Sequence, residues 1–152
     1  MSAGKRFFDT NVLLYLHDDR DPRKQQLAQQ VFGKCLDEGT LVLSTQVVQE
    51  FYVAASRKLK LPRALVHALT LDYLCLPVIH IEPRHIRRAL ENEAAYRVSF
   101  WDALILAGAE EAKAEVLFTE DLNHGQQYGA IRAENPFLEP SRGEGRLSRD
   151  AQ

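Results

Sequence analysis

Residues 5–16 read KRFFDTNVLLYL, a run in which two phenylalanines precede Asp9-Thr10-Asn11 and a second apolar stretch follows. Phe7 and Phe8 predict a short buried strand that ends at Asp9, and residues 11–16 predict at least one turn of helix. Further along the chain, short apolar runs alternate with longer segments of helical periodicity. This alternation is typical of a parallel sheet covered by helices on both faces, so the predicted fold class is α/β.

The other elements are predicted from their apolar runs and from the residues that flank them. Pro22, Pro62 and Pro83 suit the first turn of a helix, and Gly39 suits a helix end. In the helix that Pro22 begins, the inward-facing residues are expected to be Leu27, Val31 and Leu36. Strands are predicted at 41–43, 78–81 and 116–118 and near 131; helices are predicted at 22–38, 45–60, 62–76, 83–97 and 100–114.

Length and composition predict one domain. The chain has 152 residues, 45% of them hydrophobic, which is enough for a buried core and excludes a disordered chain. Residues 1–138 are predicted to form the domain, and the polar residues 139–152 a mobile tail. No apolar run approaches the roughly 20 residues of a membrane span. The two cysteines show no metal-type spacing, so a cytoplasmic protein is expected.

The formal net charge of −2 hides an uneven distribution. Residues 57–97 hold eight basic and four acidic residues, a balance of +4, while the remaining eleven basic and seventeen acidic residues give −6. A basic segment can contact a phosphate backbone, although a solvated helical surface has the same composition. The candidate contacts with a nucleic acid are Arg57, Lys58, Lys60, Arg84, Arg87 and Arg88.

Four acids stand out by position. Asp9 and Asp121 follow predicted strands, and the carboxyl ends of parallel strands form the ligand crevice of an open α/β sheet. Glu50 and Asp102 lie on the apolar stripes of their helices, where an unpaired carboxylate is costly. Each acid also has a purely structural interpretation, as a helix cap, a first-turn acid or a residue at the rim of its stripe.

Together the four acids indicate a metal site. Converging carboxylates repel one another unless a cation neutralises them, and oxygen ligands select hard ions such as Mg²⁺ or Mn²⁺. Divalent ions assist phosphodiester hydrolysis by activating water and by stabilising charge on the phosphate. One carboxylate can also serve as general base.

Four motifs in chain order resemble the PIN domain family, most of all the VapC-type ribonuclease toxins of bacterial toxin–antitoxin pairs. They read FDTNVL at 8–13, QEF at 49–51, SFWDALI at 99–105 and TEDLNHG at 119–125. NPF at 135–137 is similar to the closing segment of the family, so the resemblance extends from about residue 5 to residue 137. A lone DTN would be weak evidence, whereas four ordered motifs over most of the chain are specific.

The resemblance implies a three-layer α/β/α sandwich with a central, mainly parallel sheet, and a Mg²⁺- or Mn²⁺-dependent endoribonuclease. The implied catalytic and metal-binding residues are Asp9, Glu50, Asp102 and Asp121, with Glu120 as an alternative to Asp121. The implied supporting residues are Thr10, Asn11 and Ser99. The implied partners are an RNA substrate, a cognate antitoxin and a second copy of the chain in a homodimer.

Other functions fit the residues less well. A haloacid-dehalogenase-type phosphatase needs a second acid two positions after its nucleophile, where this chain has Asn11, and no glycine-rich nucleotide-binding motif occurs. A catalytically silent binding module stays an alternative, although such proteins usually lose one or more of the acids. Among the remaining residues, Phe100 and Trp101 are expected in the core, His80 at the edge of the core in a strand, and His124 in a structural turn.

Overall fold

The computed structural model describes residues 4–139, so the predicted tail, apart from Glu139, lies outside the described residues. Its strands are β1 (Lys5–Phe8), β2 (Leu41–Ser44), β3 (Val78–Ile79), β4 (Ala114–Phe118), β5 (Gln127–Tyr128) and β6 (Ile131–Glu134). Its helices are α1 (Thr10–Tyr15), α2 (Pro22–Glu38), α3 (Thr45–Lys58), α4 (Arg63–Leu74), α5 (Pro83–Tyr96) and α6 (Phe100–Glu111). Within residues 4–139, no helix combines the length and the apolar character that crossing a membrane requires.

The six strands form one sheet in the order β3-β2-β1-β4-β6-β5. Every pairing is parallel except that of β5 with β6, which is a short antiparallel hairpin. Successive residues of a strand point to opposite faces, and the central strand β1 shows this directly. The ring of Phe8 packs against Phe32 of α2, with centroids 5.5 Å apart. On the other face, α6 passes so close that a methyl group at Gly108 would lie 3.5 Å from Phe7 Cζ. Helices therefore cover both faces, which confirms the predicted α/β class and three-layer arrangement.

The register of β1 on β4 decides where the acids meet. Phe8 pairs with Phe118, so the two strands end at the same level, and the Asp9 amide donates to the Phe118 carbonyl at 3.0 Å. The chain runs from β1 outward through β2 to β3 on one side, and from β4 to β6 on the other. The order of the strands thus reverses between β1 and β4, which is where an open parallel sheet forms its crevice.

Local features of the chain explain where the helices begin and end. Ser44 begins α3, because its hydroxyl accepts from the Val47 amide at 3.3 Å. Gly39 ends α2 in the left-handed region, with φ at 69°. Helix α6 ends at Glu111 instead of the predicted residue 114, because Lys113 adopts a φ of 54° and Ala114 already pairs with β1.

Two predicted core positions are wrong. Leu36 is 46% exposed, and Cys35 is buried in its place, because the buried stripe of α2 runs through Ala28 and Cys35. His80 is exposed and follows β3, which has only two residues.

Gly33 inside α2 and Gly39 at its C-terminal end give a paired test of the fold. Gly33→Ala adds a methyl group in open space inside the helix, so we expect it to raise the free energy of unfolding by about 0.5–1 kcal/mol. Gly39→Ala forces a side chain into the left-handed region and should lower the free energy by about 1 kcal/mol. Urea denaturation of both variants measures this difference. Shifts of the same sign in the two variants would contradict the position assigned to the end of α2.

Candidate active site

Three aspartates from three separate elements converge at the crevice between β1 and β4. Asp9 follows β1 and caps α1, Asp102 is the third residue of α6, and Asp121 follows β4. One carboxylate oxygen from each lies within 4.8 Å of the others. The parallel register therefore assembles, from distant parts of the chain, a group of oxygen donors of the kind that could hold a metal ion.

Asp9 is the most buried member, with 4% of its surface exposed. Its Oδ1 accepts from the Thr10 amide at 2.7 Å, so the capping role considered for Asp9 is real. Its Oδ2 accepts from the Thr119 hydroxyl at 2.8 Å. The Thr119 oxygen in turn accepts from the Asp121 amide at 3.0 Å. One buried hydroxyl thus links the acid after β1 to the acid after β4.

Glu50 lies beside the three aspartates without belonging to the group that comes within 4.8 Å. Its carboxylate accepts from the Thr10 hydroxyl at 3.3 Å and from Gln46 Nε2 at 2.7 Å. Gln46 is itself buried, and the same nitrogen donates to the Trp101 carbonyl at 3.1 Å. Gln46 therefore connects the Glu50 side chain to the beginning of α6.

The neighbouring acids Glu120 and Asp121 have different surroundings. Asp121 Oδ2 accepts from Asn11 Nδ2 at 3.0 Å, and its carboxylate points to the aspartate group. Glu120 accepts from Lys24 Nζ at 2.6 Å and from the Tyr15 hydroxyl at 3.1 Å. Lys24 thereby neutralises Glu120, whereas Asp121 has no salt-bridge partner within residues 4–139.

Burial and mutual repulsion raise the pKa of three acids. Burial is the main cause of the shift at Asp9, whose pKa rises to about 7. The Thr119 hydrogen bond lowers this pKa, and the negative charge of Asp121 raises it further. Burial also raises the pKa of Glu50, opposed by Gln46 and Thr10, and that of Asp102, opposed by Ser99. Asp9, Glu50, Asp102 and Asp121 form the acidic quartet. Among residues 4–139, none of the ten ion pairs includes an acid of this quartet.

The basic side chains predicted to contact a nucleic acid fall into two places. Lys58 lines a cleft of about 420 Å³ together with Asp9, Glu50 and Asp121. Arg84 pairs with Glu111 at 2.7 Å and Arg88 with Glu110 at 2.8 Å, at the opposite end of α6 from Asp102. The other three, which are Arg57, Lys60 and Arg87, are exposed. The structure thus brings Lys58 to the acids and leaves Arg84 and Arg88 in surface ion pairs.

The sequence interpretation missed two residues of the site, and its expectation for Trp101 is wrong. Thr119 directly follows β4, the same kind of position that singled out Asp9, so the signal was available. Gln46 precedes Glu50 by four residues, the spacing at which helical side chains meet. Trp101 was expected in the core and is 63% exposed. The structural role predicted for His124 is confirmed, since its Nδ1 accepts from the Asn135 amide at 3.0 Å.

Comparison with known proteins agrees with this fold. The family model of the PIN domain matches residues 6–129, which is most of the chain, so the protein belongs to the PIN domain family. No curated protein matches the chain significantly.

Several solved structures are similar. A DNA-bound VapBC complex from Salmonella typhimurium contains a chain with a TM-score of 0.64 at 17% identity, covering 88% of this chain and 99% of that one. A toxin–antitoxin complex from Klebsiella pneumoniae gives 0.63 at 21% identity, with 87% and 98% covered. The sarcin–ricin loop cleaving toxin VapC20 from Mycobacterium tuberculosis gives 0.62 at 18% identity, with 77% and 90% covered. These likenesses show a shared fold.

The raised pKa of Asp9 predicts an unusual pH dependence of stability when no divalent ion is bound. An acid with a higher pKa in the folded state stabilises the fold when protonated, and this contribution is lost as the pH rises from about 4 to about 7. In EDTA, we expect the free energy of unfolding to fall by roughly 2–3 kcal/mol between pH 5 and pH 8. Glu50 and Asp102 act in the same direction, because burial raises the pKa of each.

Asp9→Asn should remove most of this decline, because the amide has no proton to lose in this range. Asp37→Asn, at an exposed acid of α2, is the matched control and should keep the wild-type decline. Urea denaturation at several pH values gives the slope for each protein. Equal slopes for Asp9→Asn and the wild type would contradict the assignment.

Proposed function

We propose that the chain is a metal-dependent endoribonuclease that hydrolyses RNA phosphodiester bonds. The observation that carries this proposal is the convergence of Asp9, Asp102 and Asp121 within 4.8 Å in a PIN domain. A group built from three elements that are distant in sequence, with no ion pair to a cationic side chain within residues 4–139, does not serve to hold the elements together. It costs stability in the absence of a cation, as the raised pKa of Asp9 indicates.

The donor set fits Mg²⁺ or Mn²⁺. All of the donors are carboxylate oxygens, which hard divalent ions prefer and which are a poor match for softer metals. We assign the ligands to Asp9, Asp102 and Asp121, with Glu50 completing the quartet from the side of α3. When bound, a divalent ion would supply a Lewis acid that activates water and offsets the charge of the phosphate.

The residues around the quartet fix its geometry. The Thr10 amide and the Thr119 hydroxyl each donate to one oxygen of the Asp9 carboxylate and so orient it, and Asn11 orients Asp121. Thr10 and Gln46 hold Glu50 at the edge of the cleft, beside the three aspartates. Ser99 caps α6 and so positions Asp102, whose amide donates to its hydroxyl at 3.1 Å.

Of the six basic residues predicted to contact a nucleic acid, Lys58 is the best placed to meet the phosphate backbone of the substrate. It lines the same cleft as three of the acids, and a lysine there attracts phosphate as a point charge. Arg57 and Lys60 are its neighbours in sequence and extend the positive charge beyond the cleft. Arg84, Arg87 and Arg88 lie on α5, where Arg84 and Arg88 are already paired, so their role in RNA binding is secondary in this proposal.

We further propose that the protein is the toxin of a VapBC-type toxin–antitoxin pair, acts as a homodimer and binds a cognate antitoxin. The support is the fold, which it shares with the VapC20 toxin and with chains of two toxin–antitoxin complexes over at least 90% of each of those chains. The alternative of a catalytically silent binding module fits less well, because all four acids are present and three of them converge.

Two adjacent acids provide a matched test of the enzyme. Asp121→Asn should lower the rate of RNA cleavage at least 100-fold, because it removes a charge from the aspartate group. Glu120→Gln makes the same chemical change one residue earlier and should stay within a few fold of the wild type, since Glu120 faces Lys24. Cleavage of a mixed RNA pool in Mg²⁺, Mn²⁺ or EDTA, with single-stranded DNA as a parallel substrate, gives these rates. Cleavage that persists in EDTA, or equal losses in both variants, would refute the proposed site.

The partner proposal has a separate test. If a small protein with a DNA-binding pattern is encoded directly upstream, its co-expression should give a complex that co-purifies with this chain and suppresses its RNA cleavage. Asp9→Asn should still bind that protein, because the change alters the acids and not the fold. Light scattering of the purified chain alone reports the homodimer. A chain that stays monomeric and binds no such product would contradict this part of the proposal.

A further inference from the structure

Trp101 is one of the two most exposed large apolar side chains among the described residues, with 63% of its surface accessible. Tryptophan is usually well buried, because its large ring gains more from burial than any other side chain. Trp101 immediately precedes Asp102, a member of the aspartate group. An uncovered indole ring thus belongs to the residue that precedes one of the acids that we propose to cleave the phosphodiester bond, and Gln46 links its backbone to Glu50.

The exposed ring is nevertheless held in place. The Trp101 carbonyl accepts from Nε2 of the buried Gln46, which also binds Glu50. The ring of Phe100 packs edge-on against the indole, with centroids 5.3 Å apart and planes at 72°. Because the backbone and one edge of the ring are already fixed, a flat ligand can stack on the indole without first having to order it.

The position of the ring suits a nucleotide that is adjacent to the cleaved bond. Cα atoms of consecutive residues lie about 3.8 Å apart, and consecutive helical side chains diverge by about 100°. The Trp101 side chain therefore leaves α6 in a different direction from the Asp102 carboxylate and does not block the aspartate group. Since one nitrogen of Gln46 contacts both Glu50 and the Trp101 carbonyl, a phosphate bound at the acids would leave its attached base in the neighbourhood of Trp101.

We propose that Trp101 is a stacking platform for an unpaired base of the RNA, next to the phosphate that is cleaved. This inference rests on the proposed nuclease function and adds a residue that contacts the substrate outside the aspartate group. Bases in a duplex are already stacked on their neighbours, whereas unpaired bases are free to stack on aromatic side chains. Stacking also needs no positive charge, so it suits a surface that is dominated by carboxylates.

The chain offers a direct probe of this contact, because Trp101 is its only tryptophan. In the Asp9→Asn variant, a short unpaired oligoribonucleotide of mixed sequence should quench the intrinsic fluorescence in a saturable manner. An abasic oligonucleotide of the same length carries the same phosphates and should quench far less. Binding of the RNA, followed by anisotropy of a labelled strand, without any quenching would overturn the inference.

Kinetics provide a second readout. Trp101→Ala should raise KM for an unpaired substrate about 10-fold or more, with kcat less affected, and Trp101→Phe should restore most of the loss. Leu71→Ala on α4 is the matched control, since Leu71 is equally exposed, and its kinetics should equal those of the wild type. Unfolding midpoints show whether each variant is folded.

The outcomes separate this inference from the proposed function. A wild-type chain that cleaves RNA, with Trp101→Ala and Leu71→Ala equally active, would leave the nuclease standing and refute the platform. A wild-type chain that cleaves nothing would refute the nuclease, and the quenching titration would still decide whether bases stack on Trp101. Fluorescence that shifts to the blue with rising protein concentration, in the absence of RNA, would show that a second copy of the chain covers the ring instead.

Discussion

The hydrogen bond between the Thr119 hydroxyl and Asp9 Oδ2 joins the two central strands at the point where both end. It depends on the register that pairs Phe8 with Phe118, since a shift by one residue would turn Asp9 away from the crevice. The same hydroxyl accepts from the Asp121 amide, so one contact sets the spacing of two of the three aspartates. The third, Asp102, depends on α6 lying across Phe7 on the same sheet. The chemistry of the site therefore follows from how β1 and β4 are paired.

Much of this arrangement could be predicted from the sequence because its signals are local. Asp9 and Asp121 each follow an apolar run, and a parallel sheet brings such positions to one edge. Glu50 and Asp102 stand out because a carboxylate on an apolar stripe is unexpected. The choice between Glu120 and Asp121 could not be made in this way. It depends on Lys24, which is far away in sequence and reaches Glu120 only in the folded chain.

The exposure of Trp101 could not be predicted for a similar reason. An aromatic residue in the first turn of an apolar helix has the same sequence pattern whether or not another element covers it. Here Phe100 takes the partly buried position and Trp101 stays outside. Leu36 shows that helical periodicity does not fix the buried stripe to a single residue. The stripe of α2 lies one position earlier than predicted, so Cys35 is buried and Leu36 is exposed.

Three of the four acids converge within 4.8 Å, Glu50 lies beside them, and no cationic side chain is paired to any of the four in residues 4–139. In the proposed enzyme, a divalent ion that binds only the folded state would therefore relieve the repulsion between the acids and raise the free energy of unfolding. The free concentration of divalent ions would then set two quantities at once, the catalytic rate and the fraction of chains that open far enough for a protease to cut. A cell that lowers its free magnesium would both silence such a protein and shorten its lifetime.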